Sequence, residues 1–181
     1  LLGDRTSIDL YPYAWNLVED SIINVKNVSN SVTAFVDVKG GNEDGVIFSQ
    51  GGRFGGWSLY VENKRPSYAY NYMGELFTFT SNKPLPAGKS EIRFELDYDG
   101  GGVGKGADVR MKLNGEVVAE GRLEKTIASR FSIDEGADVG LDRGSAVTVK
   151  TIGPRRYSAY GGQIDKVTIQ IYPKDTDAKQ G

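Results

Sequence analysis

Two packed antiparallel β-sheets are predicted by three features of the sequence. Apolar and polar side chains alternate with a period of two in segment after segment. Short polar or glycine-rich turns separate those segments. No stretch beyond about ten residues carries a helical stripe, so at most one short helix is expected.

The strands follow in chain order. In "SVTAFVDV" the residues Val32, Ala34, Val36 and Val38 share one face. "GVIFSQ" and "WSLYVE" read as a pair joined through "GGRFGG", and Trp57, Leu59 and Val61 share a face that marks Trp57 as a core anchor. "ENKRPSY" supplies a polar turn before Tyr68, and "KPLPAGK" punctuates the chain before the strand at Glu91. That strand sets Ile92, Phe94, Leu96 and Tyr98 against Arg93, Glu95 and Asp97. Val109, Met111 and Leu113 follow, then Asn114-Gly115, the strongest short hairpin signal because both turn positions need positive φ. Val167, Ile169 and Ile171 mark the last strand. One apolar and one polar face per strand fits antiparallel sheets covered on one side. The favoured architecture is a β-sandwich with jelly-roll topology of the concanavalin or laminin-G kind, spanning 28–173. Residues 1–27 read as a linker from a preceding domain, and 174–181 as a polar tail.

Composition narrows the function. The chain has 181 residues, no cysteine and no histidine. That removes thiolate chemistry, the commonest general base and the usual partner of a serine nucleophile. A net charge of −2 gives no electrostatic case for nucleic acid, and no apolar run reaches the length of a membrane span. The chain is read as non-catalytic.

Four motifs have both a functional and a structural reading. The glycine pairs around Arg53 suit a sharp strand reversal, which would leave Arg53 at the tip to meet an anion or another domain. "DYDGGGVGKGADV" lacks the hydroxyl residue and the helix of a phosphate loop, so it reads as a hairpin connection. "SIDEGADVGLDRG" gathers Asp134, Glu135, Asp138 and Asp142. Oxygen ligands in such a loop could hold a structural calcium, or the carboxylates could satisfy turn amides; the spacing is not that of an EF-hand. Tyr68, Tyr70 and Tyr72 lie at alternate positions, so on a strand they form one row. That row is either a sugar-stacking platform or part of the core, and the core reading is preferred.

Taken together, "VKNVSNSVTAFVDV", "GVIFSQGGRFGGWSLYVENKRPSYAYNY", "KPLPAGKSEIRFELDYDGGGVGKGADVRMKLNGEVVAEGRLEKT", "RFSIDEGADVGLDRGSAV" and "IDKVTIQI" resemble, in order, the C-terminal domain of bacterial arylsulfatases of the formylglycine type. "RTSIDLYPYAWNLVEDSIINVKN" resembles the link that leaves their catalytic domain. The resemblance implies an accessory β-sandwich whose partner is a catalytic sulfatase domain of the same polypeptide, with a second subunit or a glycan as further partners. It also implies a bacterial, periplasmic or secreted setting. The formylglycine signature is missing, so no catalytic residue of that family is placed here. The alternative is a carbohydrate-binding module that brings a parent enzyme to a glycan.

Overall fold

The computed structural model describes residues 4–41, 43–133, 135–143, 145–148 and 159–174. Its strands are β1 (Ser7–Leu10), β2 (Ser29–Val38), β3 (Gly45–Gly52), β4 (Gly55–Glu62), β5 (Arg65–Tyr72), β6 (Glu75–Thr80), β7 (Gly88–Tyr98), β8 (Ala107–Leu113), β9 (Glu116–Leu123), β10 (Ala137–Val139) and β11 (Gln163–Tyr172). A six-stranded sheet runs β1-β11-β2-β7-β8-β9, and a five-stranded sheet runs β10-β3-β4-β5-β6. Every pairing between these strands is antiparallel. The helical content among the described residues is one 3-10 turn, Glu19–Ser21. The predicted two-sheet sandwich of jelly-roll type is therefore the fold.

The alternating residues face inward as the pattern requires. Val32, Ala34 and Val36 meet Ile92, Phe94, Val109 and Met111 from one sheet, and Trp57, Leu59 and Val61 from the other, all buried. An aromatic column crosses the interior: Phe48 and Trp57 at 4.9 Å between centroids, Trp57 and Tyr68 at 5.8 Å, then Tyr68 stacked on Phe94 at 3.6 Å and 5°. Phe48, Trp57 and Tyr68 belong to the five-stranded sheet and Phe94 to the six-stranded sheet, so stacked rings join the two layers. A bulge between Val46 and Phe48 lets Ile47 and Phe48 both enter the core despite being adjacent.

Three two-residue hairpin turns have positive φ at both positions: Asn63-Lys64 (50° and 62°), Met73-Gly74 (50° and 93°) and Asn114-Gly115 (50° and 84°). These are the values of type I′ turns, whose twist matches that of the flanking strands. The β3–β4 connection uses Arg53-Phe54 at its tip. Gly51 has φ 81°, and a Cβ there would overlap the Gly55 carbonyl oxygen. The expected backbone role of these glycines holds at Gly51. Gly55 serves close packing instead, since a Cβ on it would lie 2.5 Å from the Phe131 carbonyl oxygen.

The segment 1–27, expected as a linker, contributes an edge strand. β1 pairs with β11, and Leu10, Ile22 and Val25 enter the core. Lys26 forms a buried ion pair with Glu19 and sits 5.0 Å above the Phe131 ring. Of the expected tail, Lys174 reaches Asp97 at 2.5 Å, and residues 175–181 lie outside the described residues.

Candidate functional site: the outer face of the six-stranded sheet

The polar halves of the alternating strands assemble on the outside of the six-stranded sheet. Register places Thr33 of β2 opposite Arg93 of β7, and Ser31 opposite Glu95. Arg93 in turn faces Lys112 of β8, and Glu95 faces Arg110, which faces Glu120 of β9. Tyr172 closes the other flank from the end of β11, opposite Ser29. One depression of about 660 Å³ opens on this face, lined by Ser29, Asn30, Arg93, Glu95, Asp97, Asp108, Arg110, Glu120, Tyr172 and Lys174 among others.

Arg93 organises the floor. Its Nε–H donates to Glu95 at 2.9 Å, one terminal nitrogen donates to the Thr33 hydroxyl at 3.3 Å, and the other donates to the Tyr172 hydroxyl at 2.8 Å. Ser31 lies 3.2 Å from the same Tyr172 hydroxyl. Lys112 donates to Glu95 at 3.0 Å, on the oxygen that Arg93 also uses, so the second Glu95 oxygen keeps its acceptor capacity. Partial burial would raise the Glu95 carboxyl, but the hydrogen bonds from Lys112 and Arg93 outweigh it and hold it below the usual carboxylate range. Asp97 is held low by its hydrogen bond from Lys174, against a smaller effect of burial. These carboxylates are therefore charged acceptors at neutral pH.

The lining holds three basic side chains (Arg93, Arg110, Lys174) and four acidic ones (Glu95, Asp97, Asp108, Glu120). Such a balance creates no strong field for a polyanion. What it offers is a dense set of fixed donors and acceptors beside a half-exposed Tyr172 ring. A hydroxyl-rich ligand, each of whose groups both donates and accepts, matches that chemistry.

The residues singled out from sequence lie elsewhere. Tyr68 and Tyr70 are each only 3% exposed, which puts both in the core, the preferred reading of that row, and removes them as a sugar platform. Tyr68 stacks on Phe94, and the Tyr70 hydroxyl accepts the Ile127 amide at 2.8 Å. Burial pushes the Tyr68 and Tyr70 hydroxyls well above the ordinary tyrosine range. Tyr72, the last of the row, is half-buried with Lys125 over its ring at 4.4 Å. Arg53 is exposed at its turn, its guanidinium 4.6 Å from the Phe54 ring, on a separate depression with Arg130 and Ile133. Asp134 lies outside the described residues. Asp138 accepts the amides of Asn16 and Arg143, at 2.7 and 2.9 Å, and Asp142 accepts that of Val147 at 2.8 Å. Those amide bonds are the turn-satisfying role. Among the described residues no group of three or more acidic side chains is placed to hold a metal ion.

Reading the sequence missed Arg93, Glu95 and Tyr172 as a group. The signal present in the sequence was the polar half of "EIRFELDY", whose residues the register alone brings beside β2 and β11.

No family model and no curated protein matches the chain. Solved structures do. The Ruminococcus gnavus IT-sialidase CBM40, bound to α2,3-sialyllactose, aligns with TM-score 0.60 at 13% identity, covering 94% of this chain and 93% of that one. The K499G mutant of NanB sialidase from Streptococcus pneumoniae aligns with TM-score 0.59 at 13% identity, over 92% of this chain and 27% of that one. Mouse laminin α1 domains LG4-5 align with TM-score 0.50 at 12% identity, over 99% of this chain and 44% of that one. At such identities the likeness is one of fold.

Proposed function

We propose that this chain is a non-catalytic carbohydrate-binding domain that takes a glycan on the outer face of the six-stranded sheet. The observation that carries this reading is the Arg93 network: one guanidinium, anchored to Thr33, holds Glu95 and Tyr172 in fixed positions on the lining of a 660 Å³ depression. Groups held by one another need no ordering on binding, which favours affinity. Support at the level of fold comes from the structural neighbours, of which the Ruminococcus gnavus domain is a CBM40 solved with sialyllactose. The secreted or periplasmic setting implied by the sequence resemblance belongs with this reading.

The proposed partner in the same polypeptide is an arylsulfatase-like catalytic domain, on the strength of the chain-long sequence resemblance. The alignment to about a quarter of the NanB sialidase chain supports a domain that accompanies a larger enzyme. The two readings are compatible, since an accessory domain can also hold the glycan on which its parent acts.

A glycan array covering neutral, carboxylated and sulfated oligosaccharides tests the proposal. The wild-type domain is expected to retain a defined subset, and Arg93→Ala to retain that subset at least ten-fold more weakly, without loss of fold by circular dichroism. Equal retention by the two proteins would place any glycan site elsewhere. No retention by either would remove the carbohydrate reading and leave the accessory role alone.

A further inference from the structure

A second feature lies where the chain leaves β1. The stretch "LYPYAW" exposes three rings: Tyr11 is 56% exposed, Tyr13 82% and Trp15 42%. Tyr13 and Trp15 stand at 70° with centroids 5.8 Å apart, so they form the two walls of a corner. This corner opens on a cavity of about 400 Å³, whose lining includes Pro12, Leu141, Tyr160 and Gln163.

The corner is held rigidly. The Trp15 indole N–H donates to the Val139 carbonyl at 3.1 Å. Leu17 and Ala137 exchange backbone hydrogen bonds of 3.0 and 2.8 Å, and Val139 donates to the Ala14 carbonyl at 3.0 Å. The Asn16 amide donates to Asp138 at 2.7 Å. Residues 14–17 are thus clipped along the edge of β10.

Two further facts have no structural explanation within the loop. Tyr13 has φ 71°, a left-handed conformation unfavourable for a bulky residue, yet its ring gains little burial in return. Strain of this kind concentrates at ligand clamps. Tyr160, only 8% exposed in the cavity lining, has a buried hydroxyl with no hydrogen-bond partner among the described residues, and it lies against Gly162, where a Cβ would sit 2.8 Å from the hydroxyl oxygen.

We infer that the Tyr13–Trp15 corner is a second carbohydrate subsite, which stacks a pyranose ring of the same glycan class. The cavity has the size of a small-ligand site. Rings held at 70° to one another offer an apolar face to the C–H surface of a sugar and an edge beside it, and Gln163 in the lining supplies amide donors and an acceptor. The inference rests on the carbohydrate reading above but uses a different surface. A contact with another protein is the competing use of these rings.

The chain has two tryptophans, and Trp57 is buried, so exposed tryptophan emission reports on Trp15. The test titrates wild type, Arg93→Ala and Tyr13→Gly with neutral and acidic oligosaccharides of two to six sugars, following that emission. The expected result is a saturable shift in wild type and in Arg93→Ala, weakened at least ten-fold in Tyr13→Gly, whose melting temperature is not lowered. Binding that vanishes in Arg93→Ala and survives in Tyr13→Gly, with emission unmoved, overturns the second subsite and leaves the first. Absence of binding to wild type overturns both. Self-association that Tyr13→Gly abolishes, without any effect on oligosaccharide affinity, assigns the corner to protein contact and overturns the subsite.

Discussion

Arg93 and Tyr172 meet at 2.8 Å across the whole width of β2, which lies between their strands in the sheet. Arg93 also bonds Thr33 on β2 itself, so three adjacent strands are tied by one side chain on the solvent side. Side chains on a sheet surface free of function need no such convergence, and exposed ion pairs contribute only about 0–1 kcal/mol each. Under the proposed function, the arrangement serves what it presents more than what it stabilises.

Arg93→Lys tests that distinction. Lysine keeps the charge but cannot reproduce the three-way fork. Glycan affinity measured by calorimetry should fall at least ten-fold, while the denaturation midpoint should move by no more than about 1 kcal/mol in stability. A large stability loss with intact affinity would make Arg93 a structural strap.

The tyrosine row should divide by position. Tyr68→Ala empties space beside Phe94 and Trp57 and should cost about 3–5 kcal/mol in chemical denaturation, as large-to-small core changes do. Tyr72→Ala, at the half-buried end of the same row, should cost under about 1.5 kcal/mol. Equal costs would contradict the burial gradient along β5.

Gly51 and Gly74 both have positive φ, at 81° and 93°, but only Gly51 is also crowded. Gly74→Ala meets open space and should cost about 1 kcal/mol from backbone strain alone. Gly51→Ala adds an overlap with the Gly55 carbonyl oxygen and should cost at least about 2 kcal/mol more. Thermal denaturation of the two variants side by side measures the difference.

Asp142 should give the stability curve a pH dependence. The side chain is 2% exposed, and its Oδ1 has no hydrogen-bond partner among the described residues. Burial pushes its carboxyl up to about 7, against the amide bond from Val147, with the negative charges of Asp138 and Glu135 adding to the rise and the Ser49 hydroxyl opposing it. A folded-state value above the unfolded one near 4 means the folded chain holds the proton longer. The resulting stability is fully present below about pH 4 and is lost as pH rises to about 7. The loss is roughly 2–4 kcal/mol, since each tenfold change in proton affinity is worth about 1.4 kcal/mol. Denaturant midpoints for wild type and Asp142→Asn between pH 4 and pH 8 should show a flatter slope in the variant. Parallel slopes would assign the dependence to other groups.

The fold was legible because its signal is local: alternation in "EIRFELDY" and "SVTAFVDV" fixes which face is buried without knowledge of the neighbours. Asn114-Gly115 announced its own turn and "ENKRPSY" signalled the one at Asn63-Lys64, whereas Met73, a bulky side chain at positive φ, gave no sign. β1 escaped notice because "SIDL" is short and its pairing partner, β11, lies more than 150 residues away. The candidate site was illegible for the same reason. Thr33, Arg93 and Tyr172 belong to three strands, and only register makes them one group. The tyrosine row, conspicuous in sequence, faces inward because its large rings have the interior to fill, while smaller residues such as Ser67 and Ala69 alternate with them on the other side.

The most direct measurement is a two-dimensional amide NMR titration of the isotopically labelled domain with its strongest oligosaccharide from the array. Carbohydrate binding on the outer face of the six-stranded sheet predicts saturable shifts at Ser31, Thr33, Arg93, Glu95, Lys112 and Tyr172, with the five-stranded sheet unmoved apart from the neighbourhood of Trp15. Shifts confined to other surfaces, or an unchanged spectrum at millimolar oligosaccharide, would contradict it.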